Sequence, residues 1–212
     1  NGVRIKDFGN FRYGQGSSEC PNIYTTMPQD ARVGCRWNTY LEENHNFSRA
    51  DFGTLTLYLT IEKNDINGNP IQISTPTTPS SAEFPSFPPI FVTDGAMLKL
   101  RKGNNGQERT LIFNKYTGYY QGTNFILSNG SRLFLEAAET GNVKSHIIFN
   151  SYCNSEIDQY GIVIMGDYSK IDVLANSYMK LNPHAKIIQY QHSLLFINGG
   201  TVHDCGADYT IS

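Results

Sequence analysis

SKIDVLANSYMKLNPHAKIIQYQHSLLFINGG, residues 169–200, divides into four blocks of eight: SKIDVLAN, SYMKLNPH, AKIIQYQH and SLLFINGG. The third and fifth residues of the blocks are Ile171 and Val173, Met179 and Leu181, Ile187 and Gln189, Leu195 and Ile197. Only Gln189 is polar among them. Residues two apart share one face of a strand, so each block predicts a short strand with one buried side. Asn176, Asn182-Pro183 and Asn198-Gly199-Gly200 supply turn chemistry between blocks. The same slots hold Val163 and Met165 in GIVIMGDY, and Ile147 and Phe149 in SHIIFNSY.

Two architectures keep such a beat. An antiparallel meander repeats a strand every ~8–12 residues. A parallel β-helix uses three strands per coil and stacks its coils. Only the β-helix requires residues 24 apart to match, because they lie one above another. Ser145, Ser169 and Ser193 match in this way. So do Ile147, Ile171 and Leu195, and Phe149, Val173 and Ile197; Val163 falls over Ile187. Glu156, Lys180 and Asp204 predict an outward ladder of alternating charge. The expected fold is all-β, a right-handed parallel β-helix with a β-rich N-terminal cap. An antiparallel β-sandwich of lectin type is the alternative.

Composition agrees with many strands and turns. Of 212 residues, 12% are aromatic and only 17% charged, and Gly is frequent. The net charge is −2 and no basic run occurs, which speaks against nucleic acid as a partner. No apolar run approaches the ~18–20 residues that span a bilayer, so membrane insertion is not expected. Neither an initiator Met nor a signal peptide is present, as in a mature or trimmed product. Cys20, Cys35, Cys153 and Cys205 are even in number and lack C-x-x-C spacing, which disfavours zinc. With sequons at Asn46 and Asn129, they suggest a secreted or cell-surface location and two disulfides. Cys20–Cys35 with Cys153–Cys205 is the expected pairing among three connectivities; four buried free thiols are the alternative.

Along the chain, residues 1–75 read as a β-rich N-terminal cap or subdomain. GTLTLYLTIEK (53–63) alternates cleanly, with Leu55, Leu57, Leu59 and Ile61 on one face. Asn67-Gly68 reads as a hairpin turn leading to Ile71 and Ile73. Residues 76–90, with Pro76, Pro79, Pro85, Pro88 and Pro89, cannot be helix or central strand and read as a loop or linker. Residues 91–212 read as the solenoid. No segment has a helical period.

NPHAKIIQYQHSLLFINGGTVHDCG (182–206), with short alternating strands closed by Gly-Gly, resembles the repeats of secreted and cell-surface right-handed β-helix proteins. The resemblance covers about the C-terminal third of the chain. It implies the fold and an extracellular setting, not one activity. An uncapped solenoid end at ADYTIS would expose strand edges, so the chain is expected to be part of a longer surface protein.

Catalysis on polysaccharide by a β-helix would need two or three acids on neighbouring coils, and a glycosidase needs carboxyls ~5–9.5 Å apart. Glu156 and Asp204 have Lys180 between them; Asp158 has Asn182 in its slot; Asp167 and Asp172 lack a stacked acid. Tyr160, His184 and Asp208 share a column, as do Tyr168 and His192, in turn positions that tolerate polar residues. No P-loop, dinucleotide fingerprint, nucleophile elbow or zincin motif occurs. No catalytic set, metal site or cofactor is therefore expected. NKYTGYYQGTNF (114–125) sets Tyr116, Tyr119, Tyr120 and Phe125 among amides and hydroxyls, the makings of a ligand surface. Trp37 beside Cys35 is a second candidate. Packing roles are the plain alternative for both. The expected function is a non-enzymatic adhesin or binding domain for a glycan or cell-surface protein; a secreted polysaccharide lyase or hydrolase is the alternative.

Overall fold

The structure, a computed structural model, describes residues 4–6, 11–13, 53–55, 58–62, 64–75, 77, 90–92, 95–115 and 123–212. Two strands, β1 (Arg4–Lys6) and β2 (Phe11–Tyr13), precede the first coil. Coil one holds β3 (Gly53–Leu55), β4 (Tyr58–Ile61) and β5 (Ile73–Ser74). Coil two holds β6 (Ile90–Val92), β7 (Met97–Leu100) and β8 (Arg109–Phe113). Coil three holds β9 (Phe125–Leu127), β10 (Arg132–Leu135) and β11 (Ser145–Phe149). Coil four holds β12 (Asn154–Ile157), β13 (Ile162–Met165) and β14 (Lys170–Leu174). Coil five holds β15 (Tyr178–Leu181), β16 (Lys186–Gln189) and β17 (Leu194–Asn198), and β18 (Thr201–Asp204) and β19 (Asp208–Ile211) begin a sixth. The one helical element among the described residues is a 3-10 turn, Gly141–Val143.

Every third strand pairs in parallel with the next, so three sheets form the faces of a right-handed parallel β-helix. Sheet 1 stacks β4, β7, β10, β13, β16 and β19; sheet 2 stacks β5, β8, β11, β14 and β17; sheet 3 stacks β3, β6, β9, β12, β15 and β18. At the N-terminal end β1 pairs antiparallel with β4, and β2 with β3. This closes two sheet edges that would otherwise offer unpaired backbone. Strands β3, β4 and β5 belong to the same sheets as the later coils, so the solenoid reaches back to Gly53. The continuous strand expected over 53–63 is instead two strands in two sheets, β3 and β4. The Asn67-Gly68 turn forms, held by Asp65 accepting from Asn67 N and Asn69 N at 2.9 and 2.8 Å.

The eight-residue beat has a backbone cause. Hydrogen bonds close four-residue turns at 150–153, 158–161, 166–169, 174–177, 182–185 and 190–193. In each, the third residue alone has a left-handed φ: Tyr152, Tyr160, Tyr168, Asn176, His184 and His192, all between 58° and 64°. That is type II turn geometry, and Pro183 occupies its favoured second position. The fourth residue is small each time: Cys153, Gly161, Ser169, Ser177, Ala185 and Ser193. Those side chains enter the corner of the coil, where Cys153, Ser169 and Ala185 have no exposed surface.

The interior is one continuous apolar column. Leu111, Ile147 and Ile171 stack in sheet 2, as do Phe113, Phe149 and Val173. Phe113 and Phe149 lie ring on ring, with centroids 5.1 Å apart, and Phe125 packs against both. Each fully buried side chain of this kind is worth ~1.5–3 kcal/mol of transfer free energy. Polar ladders complete the corners. Asn150 Nδ2 donates to Asn114 Oδ1 at 2.9 Å, and Asn114 donates from both nitrogens to Thr75.

The 24-residue columns hold from β11 to β17 in sheet 2 and from β12 to β15 in sheet 3: His146–Lys170–Leu194 and Glu156–Lys180 are direct partners. The last coil departs from it. Thr201 partners Tyr178 and Asp208 partners Lys186, separations of 23 and 22. Hence His203, not Asp204, lies over Lys180, and the charge ladder has one rung fewer than expected. Gly199 and Gly200 make this shortening possible. A Cβ on Gly200 would stand 2.6 Å from Leu174 O and 2.7 Å from Val173, so only glycine fits so close to the coil below. Asp204 instead caps its own turn, accepting from Gly206 N and Ala207 N at 2.8 Å.

Candidate functional site

Alternation along β12 and β15 turns Ser155, Ile157, Met179 and Leu181 inward. Asn154, Glu156, Tyr178 and Lys180 therefore face outward on sheet 3, continued by Asp158 and Asn182. Lys180 Nζ donates to Glu156 Oε1 at 3.0 Å. Asn182 Nδ2 reaches both acids, at 2.8 Å from Glu156 Oε1 and 3.3 Å from Asp158 Oδ1. The two carboxyls respond oppositely. Burial pushes Glu156 up, but hydrogen bonds from Asn182 and Lys180 and the lysine charge outweigh it and hold the group below its usual value. Burial pushes Asp158 up as well, and the neighbouring Glu156 charge adds to the rise. Beside them the Tyr178 and His203 rings lie 6.2 Å apart, inclined at 52°. The face thus combines a ring edge, carboxamides and two acids on a rigid sheet.

A second cluster lies on the outer face of sheet 2. His146 on β11 stands between two carboxylates, with Nδ1 3.0 Å from Glu108 Oε1 and Nε2 2.8 Å from Asp172 Oδ2. Lys144 flanks Glu108, and Lys170 flanks Asp172 at 3.0 Å while its Nζ lies 5.0 Å from the Phe196 ring centroid. Hydrogen bonding from His146 is the main reason that the Glu108 carboxyl is lowered to about 2. A general base needs a free lone pair, and both imidazole nitrogens are committed here. His146 and Asp172 are also buried. The row reads as a charge ladder that ties β11 and β14 to the loop before β8.

The residues singled out from sequence fare unevenly. Tyr116, Tyr119, Tyr120, Trp37, Cys20 and Cys35 lie outside the described residues. Phe125 is no surface residue: it is fully buried in the phenylalanine cluster. The expected Cys153–Cys205 disulfide does not form, and both thiols are free. Cys153 immediately precedes β12, whereas Cys205 immediately follows β18, two strands away in sheet 3. Two strand spacings alone are ~9.6 Å, beyond the reach of a disulfide. Burial pushes the Cys153 thiol far up, so it is an inert core residue. The Tyr160–His184 and Tyr168–His192 columns do stack, with centroids 5.7 and 4.5 Å apart and rings within 8° of parallel. His184 Nδ1 comes within 3.7 Å of Asp208.

Sequence reading missed the Glu108–His146–Asp172 row. His146 lies over Thr110 across a coil of 36 residues, so no 24-residue search finds Glu108. It also passed over Asn182 as a bridge between acids, although the slot was noted. Among the described residues no group of three or more His, Cys, Asp or Glu could hold a metal ion, and no helix is long and apolar enough to cross a membrane. No protein-family model, curated protein or solved structure matches this chain.

Proposed function

We propose that this chain is a non-enzymatic binding domain of a secreted or cell-surface protein, and that it recognises carbohydrate on the outer face of sheet 3. The observation that carries the reading is the Tyr178–His203 pair beside Asn154, Asn182, Glu156 and Asp158 on one flat face. Sugars present an apolar ring face and paired hydroxyls. A tyrosine ring accepts the first, and planar amides and carboxylates accept the second.

The opposed behaviour of Glu156 and Asp158 favours one second reading, a glycoside hydrolase with Asp158 as the acid. Against it, the Asn182 nitrogen bonds to both carboxyls and fills the space between them that a scissile bond would need. A glycan array with the full 212-residue chain, followed by calorimetry and product analysis, separates the two. The binding reading expects a glycan bound and unchanged, with Tyr178→Ala weakening it about tenfold and leaving the melting temperature near that of the parent. Cleavage that is lost in Asp158→Asn would overturn it in favour of hydrolysis. No glycan bound at all would refute the carbohydrate assignment.

A further inference from the structure

Three excursions stack where sheet 1 turns into sheet 2: residues 64–72, 101–108 and 136–144. Asn104 Nδ2 donates to Gly68 O at 2.6 Å, Asn105 Nδ2 to Asn67 O at 3.1 Å, and Lys102 N to Glu136 Oε2 at 2.9 Å. Between them lies a cleft of about 190 Å³, lined by Glu62, Asn64, Arg101, Lys102, Gly103, Asn104 and Arg109. Three lining residues are cationic and one is acidic, in a chain whose net charge is −2. Glu136 and Glu139, just outside the lining, pair with Arg101 and Lys102, so the character of the cleft rests on its donors and not on a net positive charge.

The hydrogen-bonding capacity turned to this cleft is that of donors. Arg109 forms the buried floor, giving Nη2 to Asn64 Oδ1 at 2.7 Å and Nε to Lys102 O at 3.2 Å. The amide oxygens of Asn64 and Asn104 are thereby occupied by Arg109. Glu62 is turned to Arg101 Nη1, with only 12% of its side chain exposed. Arg101 also uses Nε on Glu136 at 2.7 Å, but its side chain stays 42% exposed and a guanidinium has a further nitrogen, Nη2. Lys102 Nζ meets Glu139, which is 73% exposed, and an ammonium has three donors. Donors in excess, a planar fork and a positive floor suit a ligand that only accepts, and a carboxylate matches the fork of arginine.

The cleft is smaller than the ~300–1,000 Å³ of a drug-sized pocket, which limits it to about one residue of a longer ligand. We infer that this cleft is a second binding site, distinct from the sheet 3 face, that takes the carboxylate of an acidic sugar unit. Only the sugar carrier rests on the carbohydrate reading above; the carboxylate site stands on the cleft itself.

The test titrates the full chain with glucuronate, glucose and inorganic sulfate by calorimetry at low salt, where ion pairing is least screened. Glucuronate is expected to bind at least about tenfold more tightly than glucose or sulfate. Arg101→Gln and Lys102→Gln should each weaken it about threefold or more, while Tyr178→Ala leaves it unchanged. Lys102→Gln guards against misfolding, because Lys102 Nζ contacts only an exposed acid. Equal binding of glucose, binding of sulfate alone, or wild-type affinity in Lys102→Gln would overturn the inference. So would loss of glucuronate binding in Tyr178→Ala, which would place the acid on the other face. Failure of the carbohydrate reading would look different: glucuronate bound in the cleft, with no glycan bound at Tyr178.

Discussion

Two halves of one solenoid share a cross-section and differ in how much chain they use to draw it. In sheet 1 the aligned positions are Leu59, Leu98, Leu133, Val163, Ile187 and Tyr209, so successive coils take 39, 35, 30, 24 and 22 residues. The early coils carry excursions at two of the three corners; the late coils turn in four residues. Inside, nothing changes: Leu98, Leu133, Val163 and Ile187 are buried alike. The fold is therefore a property of the inward positions, and the extra chain is free to make clefts and staples. The cationic cleft lies in the long-coil half, and the flat polar face in the short-coil half.

The comparison breaks most visibly where the halves join. Phe149→Ala, at the top of the phenylalanine cluster, should cost about 3–5 kcal/mol. Ile197→Ala, equivalent in register but 49% exposed in the last described strand of sheet 2, should cost under about 1.5 kcal/mol. Urea unfolding would compare them, and equal losses would mean that the column is not one core. Next comes Gly166, where the last excursion crosses the first tight sheet 1–sheet 2 corner. A Cβ there would lie 2.5 Å from Ala137 N and 2.8 Å from Leu135 O. Gly166→Ala should thus cost about 1–3 kcal/mol, measured by the same unfolding curve.

Acid sharpens the contrast further. The Glu108 carboxyl is lowered from 4.5 to about 2 in the fold. A depressed carboxylate contributes stability above its ordinary pKa and loses it as pH falls through the folded value. Melting temperature should therefore decline between about pH 4.5 and 2, less steeply in Glu108→Gln. A profile identical to the parent's would show that the His146 row contributes nothing. The smallest effect concerns the corners. Tyr152 holds a left-handed φ with, among the described residues, a Lys115 contact at 5.6 Å, whereas Tyr168 stacks on His192. Tyr152→Asn should gain up to about 1 kcal/mol, and Tyr168→Asn should gain less because the stack is lost. Thermal melts of the two variants decide the order.

What the sequence disclosed follows the same division. From Ser145 onward the inward pairs sit at constant spacing, so Ile147–Ile171–Leu195 announces both the sheet and its register. Before that, unequal excursions hide the columns: nothing in the spacing of Leu59, Leu98 and Leu133 reveals that they align. The cleft residues Arg101 and Arg109 and the acid Glu108 went unnoticed for that reason. The last coil misled for the opposite reason, because Gly199-Gly200 removes a residue from an otherwise regular count. The Cys153–Cys205 expectation failed because an even count does not place cysteines. Four cysteines invite pairing, but Cys153 sits where each turn demands a small inward side chain, and a thiol serves there as well as serine or alanine.

The left-handed corner has one more consequence, for heredity rather than energetics. Because every turn from Tyr152 to His192 repeats the same backbone state at intervals of eight, a duplication or loss of 24 residues between equivalent corners adds or removes one storey and leaves every column intact. A change of other length inside a strand derails the register above it, whereas extra chain at a corner is absorbed, as in the early coils. The height of this tower is thus a trait that unequal recombination can change in discrete steps, while the binding faces on the remaining storeys pass through unaltered.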